Sequence, residues 1–312
     1  MMMERRSDKG CKIRWQPPAV LGNCGHSGQH YGLLQRWLGS GGISMSIQIT
    51  HLGSGSSGNA ALFISNQTKI LVDCGFSMRQ TEKRLEVIGV VPESIDAIVV
   101  THHHKDHSGC ALRASKSWEA SLHCNLETAN RMGWRPIEEC STFGSLERVD
   151  FSQSLSILAV PVPHDDADNV AIIAGDGMGN RAALVTDLGE ATSDLVDHLR
   201  GCSHISIEAN YDHSRLFNGP YPDSLKRRIS GRGGHLSNTQ TSKILSSVCN
   251  DNLDSIVLCH LSEKNNAPHL AESEVLMAIG EEFTGEISIS KQNGPEFSHW
   301  TGQSEAERAL VS

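Results

Sequence analysis

One short segment of this chain concentrates side chains that bind metal ions. The segment THHHKDHSGC spans Thr101 to Cys110 and directly follows the apolar run AIVV. Imidazole and carboxylate groups are common protein ligands of Zn²⁺ and similar ions. Alternate side chains of an extended segment point the same way, so we expect His103 to be a spacer. The HxHxDH pattern then leaves four candidate ligands on one loop: His102, His104, Asp106 and His107.

One loop cannot complete the ligand shells of two ions, so other parts of the chain must contribute. Open α/β sheets place their sites at the carboxyl ends of strands. Three further polar residues directly follow apolar runs: His164 in LAVPVPHDD, Asp187 in AALVTDLG and His260 in IVLCHLS. A single strand-end histidine is more often a hydrogen-bonded structural residue. The shared position of all three residues therefore predicts one metal site with several strand ends around it.

The elements that must position these residues follow the pattern of a mixed α/β chain. After residue 44, short apolar segments alternate with Gly-rich turns and amphipathic stretches. Ser77 and Ser237 each have a glutamine three residues later, which predicts two helix starts with a capping box. Residues 1–44 lack helical and strand periodicity, so we predict a disordered extension, with Met45 as an alternative start. We predict a domain over residues 45–296 and a C-terminal tail over residues 297–312.

Composition and charge exclude several classes of protein. The chain has 312 residues, of which 38% are hydrophobic, and no apolar run is long enough to span a bilayer. The N-terminus lacks the apolar core of a secretion signal, so we expect a cytoplasmic protein without a membrane partner. Nine cysteines are scattered without CxxC spacing, which argues against a disulfide framework or a thiolate zinc site. A net charge of -9 argues against nucleic-acid binding by bulk electrostatics.

The ligand pattern and its order along the chain resemble the metallo-β-lactamase superfamily from residue 45 to about residue 292. The resemblance implies an α/β fold, an αββα sandwich of two mixed sheets with helices on the outer faces. It also implies two ligand sets and a bridging aspartate between them: His102, His104 and His164; Asp106, His107 and His260; and Asp187. The strand-end residue Asp73 would orient the ligand loop. The glycine of the usual HxHxDHxxG motif comes one position early, at Gly109, so we expect an altered turn there.

Two residues outside the ligand sets point to the bond that is broken. Paired metal ions activate water for hydrolysis, and the lack of a cysteine ligand argues against a β-lactamase. A glyoxalase-like thioesterase stays compatible with the ligands. Glu208 ends an apolar run and His235 precedes a predicted helix, so the histidine suits a general acid that protonates a leaving oxygen. This pair resembles the Glu and His of tRNA 3′-processing endonucleases, and we count Asp106 with it as a catalytic residue.

Several segments together resemble the YycJ/WalJ family of bacterial metallohydrolases. They are LGSGSSGNA, THHHKDHSG, TDLG, EANYDH, NGPYPDSLKRRISGRGGHLSN and HLSEKNNAP. The resemblance implies a metal-dependent DNA exonuclease of 5′-to-3′ polarity, with a link to two-component cell-wall signalling. Zn²⁺ or Mn²⁺ would be the ion, and Fe²⁺ suits the same ligands. One departure is HDDADNVA, where Asp166 and Asn169 replace a small residue and a proline.

The same segments contain candidate contacts to a DNA substrate. In the basic run KRRISGRGGH, Arg228 and Arg232 would hold phosphates locally. The GSGSSGN turn would offer donors at Ser57 and Asn59, although a plain turn between two strands explains it equally well. Asn210 in EANYDH is a further candidate. Competing interpretations are a hydrolase of RNA ends or of small phosphodiesters, a thioesterase, and a metal-stabilised scaffold without activity.

Overall fold

Two seven-stranded sheets form the frame of the described residues. The computed structural model describes residues 46–165, 167–280, 283–295 and 298–301. The strands are β1 (Gln48–Gly53), β2 (Ala60–Ser65), β3 (Thr68–Val72), β4 (Ala97–Val100), β5 (Ser121–Asn125), β6 (Ser141–Phe143), β7 (Arg148–Asp150), β8 (Ser156–His164), β9 (Ala167–Gly175), β10 (Arg181–Val185), β11 (His204–Glu208), β12 (Ser255–Cys259), β13 (Glu286–Ile289) and β14 (Ser298–Trp300). The helices are α1 (Met78–Val87), α2 (Lys105–Ser108), α3 (Ala111–Trp118), α4 (Leu126–Met132), α5 (Ser193–Leu199), α6 (His213–Asn218), α7 (Asp223–Ser230), α8 (Asn238–Val248) and α9 (Pro268–Ile279), with a 3-10 turn at Pro92–Ser94.

The two sheets share one strand pattern. The first has the order β14-β1-β2-β3-β4-β5-β6 and the second the order β13-β12-β11-β10-β9-β8-β7. The first is parallel from β3 to β6 and antiparallel elsewhere, and the second is parallel from β10 to β13 and antiparallel elsewhere. Because parallel neighbours end at the same edge of a sheet, the residues that follow them come together there.

Alternating side chains explain why both faces of each sheet are covered. In β4, Val99 packs between the sheets, whereas Ile98 and Val100 pack against helices. In β10, Leu184 faces the first sheet and Val185 faces the helices of the second. Complete burial of a side chain such as Ile98 contributes roughly 1.5–3 kcal/mol of stability. Strands buried on both faces are typical of sheets covered by helices, and the predicted αββα sandwich is confirmed.

Two helices begin as the sequence predicts. The backbone N–H of Ser77 donates to the Gln80 side chain at 3.3 Å, and that of Ser237 donates to the Gln240 side chain at 3.0 Å. These bonds help to satisfy donor groups that the first helical turn leaves unpaired. The resulting α1 and α8 pack on the outer faces of the two sheets. No helix of the described residues combines the length and the hydrophobicity that a membrane span requires.

Four strands, β5, β6, β7 and β14, cannot be recognised from the apolar pattern of the sequence. Each has three to five residues, too few for a clear alternation of apolar and polar side chains. β14 corrects the predicted C-terminal tail, because Ser298–Trp300 pairs with β1 and Thr301 N donates to Ile47 O at 3.0 Å. The domain therefore continues at least to residue 301. The predicted extension over residues 1–44 lies outside the described residues.

Candidate metal centre

The predicted site residues lie where strands end, and the fold brings those ends together. Asp73 follows β3, Asp187 follows β10 and His260 follows β12. Their φ angles are positive, at 62°, 53° and 52°. L-residues rarely adopt this left-handed conformation, and its concentration in one place is typical of functional sites. The sharp turn at each strand end aims these polar side chains at the edge of the sandwich.

Three histidine rings form the first group. His102 Nε2 lies 2.9 Å from His104 Nδ1, and His164 Nε2 lies 3.3 Å from the same atom. One nitrogen of each ring therefore points at a common centre and could hold a metal ion. Burial, and then the nearby His107, lower the pKa of His102 well below its usual value. The ring stays neutral, and neutral imidazole is the form that binds metals.

The second group joins one carboxylate to two histidines. Asp106 Oδ2 lies 3.6 Å from His107 Nε2 and 3.8 Å from His260 Nε2. His260 Nε2 is buried and has no hydrogen-bond partner within the described part of the chain. A buried polar atom without a partner costs about 1–3 kcal/mol. A cation held by this group would remove that cost, so the residues present fit a bound metal ion.

Asp187 lies between the two groups. Its Oδ2 lies 2.6 Å from His107 Nε2, and its Oδ1 lies 3.8 Å from His164 Nε2 and 3.5 Å from His260 Nδ1. Burial raises the pKa of Asp187, but the surrounding histidines, His260 first, outweigh burial and hold the pKa well below its usual range. The result is an ionised carboxylate within reach of both groups. Such a group could bridge two cations.

Each candidate ligand histidine uses its other ring nitrogen for an outer contact. The contacts are Thr101 Oγ1 with His102 Nδ1 at 3.1 Å, Asp165 Oδ2 with His104 Nε2 at 3.2 Å, Asp73 Oδ2 with His107 Nδ1 at 2.6 Å, Gly234 O with His164 Nδ1 at 2.9 Å, and Glu208 Oε1 with His260 Nδ1 at 2.9 Å. Outer partners of this kind fix the orientation of a ring and make its free nitrogen a better ligand. The outer partners therefore fix each histidine ring, while the other ring nitrogen faces the centre.

Asp73 contacts the ligand loop at three points. Its Oδ1 accepts hydrogen bonds from Thr101 N at 2.9 Å and from Thr101 Oγ1 at 3.0 Å. Its Oδ2 accepts from His107 Nδ1 at 2.6 Å, and the residue is 1% exposed. Both oxygens are thus engaged by the loop. This is the arrangement expected of a residue that orients ligands without binding metal.

Asp165 is a site residue that the sequence analysis does not identify. Its carboxylate contacts the His104 ring and also Arg228 Nη2, at 3.1 Å. Its backbone N–H donates to Gly233 O at 2.7 Å, which joins the HDD turn to the GRGGH run. A Cβ at Gly233 would lie 2.9 Å from Asp165 N, so glycine is required for this close approach. The one feature of the sequence that could have identified Asp165 is its position directly after the candidate ligand His164.

His235 and Glu208 form the pair expected of a general acid and its partner. His235 Nδ1 donates to Glu208 Oε1 at 2.7 Å and lies 3.2 Å from Asp187 Oδ1. Glu208 Oε2 accepts from two backbone N–H groups, at 3.2 and 3.3 Å. Burial lowers the pKa of His235, but Glu208 and Asp187 outweigh burial and raise the pKa well above its usual value. The sequence did not reveal that Glu208 also orients His260.

The structure corrects two predicted substrate contacts, Asn59 and Asn210. Both residues are buried, with exposed fractions of 4% and 5%. Asn59 Oδ1 accepts from Gly55 N at 2.9 Å, and its Nδ2 lies 3.0 Å from His107 Nε2. Asn210 Nδ2 donates to the His260 carbonyl at 2.9 Å. Their amide groups are already paired inside the protein, so they position the site and are not available to a substrate.

The other predicted substrate contacts lie at the surface. Ser57 is exposed on the Gly/Ser turn. Arg228 pairs with Asp165 at 3.1 Å, and Arg232 pairs with Glu190 at 2.6 Å. The two arginine side chains are 66% and 78% exposed. Exposed ion pairs contribute little, so a phosphate group can compete with the carboxylate partners.

The two departures from the superfamily pattern have local explanations. Gly109 ends α2 and α3 begins at Ala111, so the altered turn separates two helices and the ligands stay together. Asn169 is 1% exposed, and its Nδ2 donates to the Asp187 carbonyl. This amide supports the turn that carries Asp187 and does not face a substrate. Asp166 lies outside the described residues.

Comparisons with known proteins agree with this fold. A family model described as the Beta-lactamase superfamily domain matches residues 68–260. Exodeoxyribonuclease YycJ of Bacillus anthracis is 30% identical over 254 residues, which cover 77% of this chain and 92% of that protein. Exodeoxyribonuclease WalJ of Streptococcus pneumoniae serotype 2 is 29% identical over 248 residues, covering 75% and 88%. The metallo-β-lactamase fold protein YhfI from Bacillus subtilis has a TM-score of 0.61 at 16% identity, covering 82% and 99%.

The fold and the matched family define the class of this protein, a metal-dependent hydrolase of the metallo-β-lactamase superfamily. The matched residues 68–260 contain every candidate ligand described above. Within the superfamily, the chain belongs to the YycJ/WalJ family, whose two members named here align with about three quarters of its length. The prediction of a metal-dependent hydrolase from the HxHxDH loop is confirmed.

Proposed function

We propose that this protein is a dinuclear metal-dependent phosphodiesterase that acts on DNA as an exonuclease of 5′-to-3′ polarity. The relatives YycJ and WalJ are named exodeoxyribonucleases, which supports DNA as the substrate class. The ions would be Zn²⁺ or Mn²⁺, since both suit histidine and carboxylate ligands. Two ligand sets and a bridging residue would hold them: His102, His104 and His164; Asp106, His107 and His260; and Asp187.

The observation that carries the proposal is the arrangement of the five histidine rings. In each ring one nitrogen contacts an outer partner and the other faces the centre. A purely structural cluster would have no need to leave a buried atom such as His260 Nε2 without a partner. The outer partners include three carboxylates, which increase the basicity of the facing nitrogens. We infer that the rings are oriented to bind cations.

When bound, divalent ions supply Lewis-acid stabilisation of phosphate charge and lower the pKa of a coordinated water toward about 7. The chain's own residues then position the reaction. Asp106, on the ligand loop, and Asp187, after β10, would position the attacking water relative to the phosphate. Glu208 fixes the His235 ring through Nδ1 and stabilises its positive charge, so Nε2 carries the proton for the leaving oxygen.

The substrate backbone would be held beside the general acid. Arg228 and Arg232 lie in the segment that leads to His235, and both side chains are exposed. The hydroxyl of Ser57 would contact the same strand from the Gly/Ser turn. Contacts of this kind bind phosphate and set the position of the strand without reading its sequence.

The test of this function uses the purified full chain loaded with Zn²⁺ or Mn²⁺. Its substrates are duplex DNA labelled at either the 5′ or the 3′ end, single-stranded RNA, bis-p-nitrophenyl phosphate and a thioester. We expect hydrolysis of DNA and of bis-p-nitrophenyl phosphate, with immediate release of the 5′ label. His104→Ala should reduce hydrolysis beyond the roughly 10–100-fold that loss of an outer partner produces.

The matched control for His104→Ala is His123→Ala, since His123 lies in β5 and bonds to Ser121 at 2.9 Å, outside the centre. This variant should keep full activity. Preferred cleavage of RNA or of the thioester would replace the proposed substrate class with one of its competitors. Early release of the 3′ label would reverse the assigned polarity.

A further inference from the structure

One aromatic side chain stands out among the large apolar residues that are exposed in the described part of the chain. Phe217 lies on α6 and is 40% exposed, whereas the other exposed residues of this kind are aliphatic or methionine. The His213 ring lies one helical turn earlier, with its centre 4.5 Å from that of the Phe217 ring and an angle of 31° between the two planes. This contact restricts the Phe217 ring while the residue stays accessible to solvent.

A second aromatic residue and two lysines lie next to Phe217. Lys226 Nζ donates to the Phe217 carbonyl at 2.8 Å, and Lys264 Nζ lies 5.7 Å from the centre of the Tyr221 ring. A single exposed apolar residue needs no explanation. Two aromatic residues that each contact a lysine ammonium group form a more specific surface. We call Phe217, Tyr221, Lys226 and Lys264 the aromatic patch.

The two lysines of the aromatic patch have no carboxylate partner in the described residues. Arg228 and Arg232 pair with carboxylates, but Lys226 contacts a carbonyl and Lys264 an aromatic ring. Residues 213–232 contain five lysines and arginines and one acidic residue, in a chain whose net charge is -9. A local positive surface of this kind attracts a polyanion. Its chemistry fits a ligand that combines phosphates with flat aromatic groups, as a nucleic acid does.

The aromatic patch lies on the two segments that leave the candidate metal centre after β11 and β12. Lys264 is four residues after His260, so their Cα atoms are at most about 14 Å apart. The start of α6 is joined to the same loop, because Asp212 N donates to Asn265 O at 2.9 Å. Successive nucleotides of one DNA strand rise by about 3.4 Å. A strand with a phosphate at the centre would therefore reach the patch within a few nucleotides.

The type of side chain indicates which form of DNA the aromatic patch can hold. Proteins bind single strands by stacking aromatic side chains on the bases and by holding the backbone with basic residues. Inside a duplex the bases are stacked on one another and paired, so their faces are not available to Phe217 or Tyr221. Only unpaired bases can use both features of the patch.

We propose that the aromatic patch binds the unpaired bases of a DNA strand that leads into the candidate metal centre. Phe217 and Tyr221 stack on the bases, and Lys226 and Lys264 contact the neighbouring phosphates. The role of the patch as a substrate site rests on the proposed function, but binding itself requires no hydrolysis. A duplex with an unpaired 5′ extension is then the preferred form of substrate, because a blunt duplex has to open first.

The test measures DNA binding by the metal-loaded full chain with fluorescence anisotropy. The probes are a blunt duplex, the same duplex with a short unpaired 5′ extension, and the extended duplex with abasic sites throughout the extension. Phosphorothioate linkages keep the probes intact. The normal extension should bind at least about fivefold more tightly than the abasic one, which is the smallest effect expected for one stacked base. The blunt duplex should bind most weakly.

The double variant Phe217→Leu/Tyr221→Leu should lose this preference, because leucine is apolar but has no ring to stack on a base. It should bind the abasic extension like the wild type, which also shows that it is folded. Phe217→Trp should keep the preference, since tryptophan stacks as well. The matched control is Phe151→Leu, because Phe151 also contacts a histidine ring, that of His123 at 5.0 Å, but follows the edge strand β7.

Equal binding of the normal and the abasic extension by the wild type would overturn the proposal. So would a double variant that keeps the preference, or one that loses the same affinity for both extensions. Failure of the proposed function gives a different result, because the wild type would then bind the normal extension without hydrolysing unmodified DNA. In that case the comparison of the two extensions still decides whether the aromatic patch stacks on bases.

Discussion

Each histidine of the candidate metal centre would have two roles, one for each ring nitrogen. In His107, Nδ1 is held by Asp73 at 2.6 Å, and Nε2 faces Asp106 and Asp187. Removing an outer partner leaves such a ring in the protein but frees its orientation. The outer partners therefore decide how well the facing nitrogens bind a cation, although they touch no ion themselves.

Asp73→Asn tests this role at a single residue. We expect metal affinity to fall by about 10–100-fold, because a neutral amide no longer holds the His107 ring as an ionised carboxylate does. The fold should remain, since Asp73 lies at a strand end and outside the hydrophobic clusters. Affinity can be measured by competition with a coloured chelator, and the fold by circular dichroism.

Asp96→Asn is the control, because Asp96 directly precedes β4 and accepts a hydrogen bond from Lys69 N of β3 at 2.8 Å, away from the ligand loop. That variant should bind metal like the wild type. Equal metal affinity in Asp73→Asn and in the wild type would contradict the orienting role.

The elements of the fold act on the site through their ends. The segment after β3 packs against the ligand loop so closely that a Cβ at Gly75 would lie 1.7 Å from Asp106 O. Neither backbone can move aside without moving a candidate ligand. The strand therefore supports the loop by direct contact as well as through the Asp73 carboxylate.

Gly75→Ala should destabilise the protein by at least about 1–3 kcal/mol, the usual effect of overpacking a buried position. Metal affinity should also fall, because relief of the clash displaces Asp106. Gly175→Ala is the matched control, since a Cβ there would lie 3.7 Å from Ser156 Oγ in ordinary contact. Urea unfolding compares the two variants. Equal stability would show that the segment after β3 is not tightly packed against the ligand loop.

A second polar cluster lies between the sheets and shares no residue with the candidate metal ligands. His51 on β1 contacts Ser206 on β11 at 2.7 Å, and His204 contacts the same hydroxyl at 2.8 Å. His299 on β14 lies with its ring centre 5.3 Å from that of His204. Burial, and then the charge of His299, lower the pKa of His51 from 6.5 to about 3. The folded protein therefore disfavours the charged form of His51, and the contact with Ser206 is made by the neutral ring.

This cluster predicts loss of stability in acid. Because the folded pKa of His51 is lower than its unfolded value, its contribution is complete above pH 6.5 and is lost as the pH falls toward 3. His51→Gln keeps a hydrogen-bonding side chain but does not titrate. The free energy of unfolding of this variant should depend less on pH in that range, by about 1.4 kcal/mol per pH unit. Urea unfolding at several pH values measures this, and parallel curves would contradict it.

The sequence predicted the part of the site that depends on residue type and local spacing. His102, His104 and His107 follow one strand within a few residues, so their convergence is a local property. Asp165 and Asn59 were missed or misassigned because their roles depend on tertiary contacts, with His104 and with the ligand loop. The short strands β5, β6 and β7 were missed because the neighbouring strands, and not their own sequences, define them.

At the scale of the whole molecule, the main question is how an acidic protein holds an acidic substrate. The net charge of -9 opposes DNA at long range. Under the proposed function, the exposed arginines of the run that leads to His235 would provide local attraction, and both would first have to leave their carboxylate partners. We expect weak affinity at high ionic strength, because phosphate contacts of this kind depend strongly on salt.

The double variant Arg228→Ala/Arg232→Ala should weaken DNA binding and reduce the slope of log K against log salt by about two. Each lost phosphate contact removes the release of roughly one counterion. Arg148→Ala is the control, because Arg148 forms an exposed pair with Asp150 on β7. Fluorescence anisotropy with labelled duplex over a salt series gives the slope for each of the three proteins. The same slope in all three proteins would remove these arginines from the substrate contacts.

The convergence of the strand-end ligands on paired cations is tested most directly by anomalous X-ray scattering at the zinc edge. Crystals of the zinc-loaded chain should show two peaks about 3.5–4 Å apart, as in other two-metal sites. One peak should lie among His102, His104 and His164, and the other among Asp106, His107 and His260, with Asp187 between them. A map with no peak at these residues, or with zinc bound only elsewhere on the chain, would contradict the account.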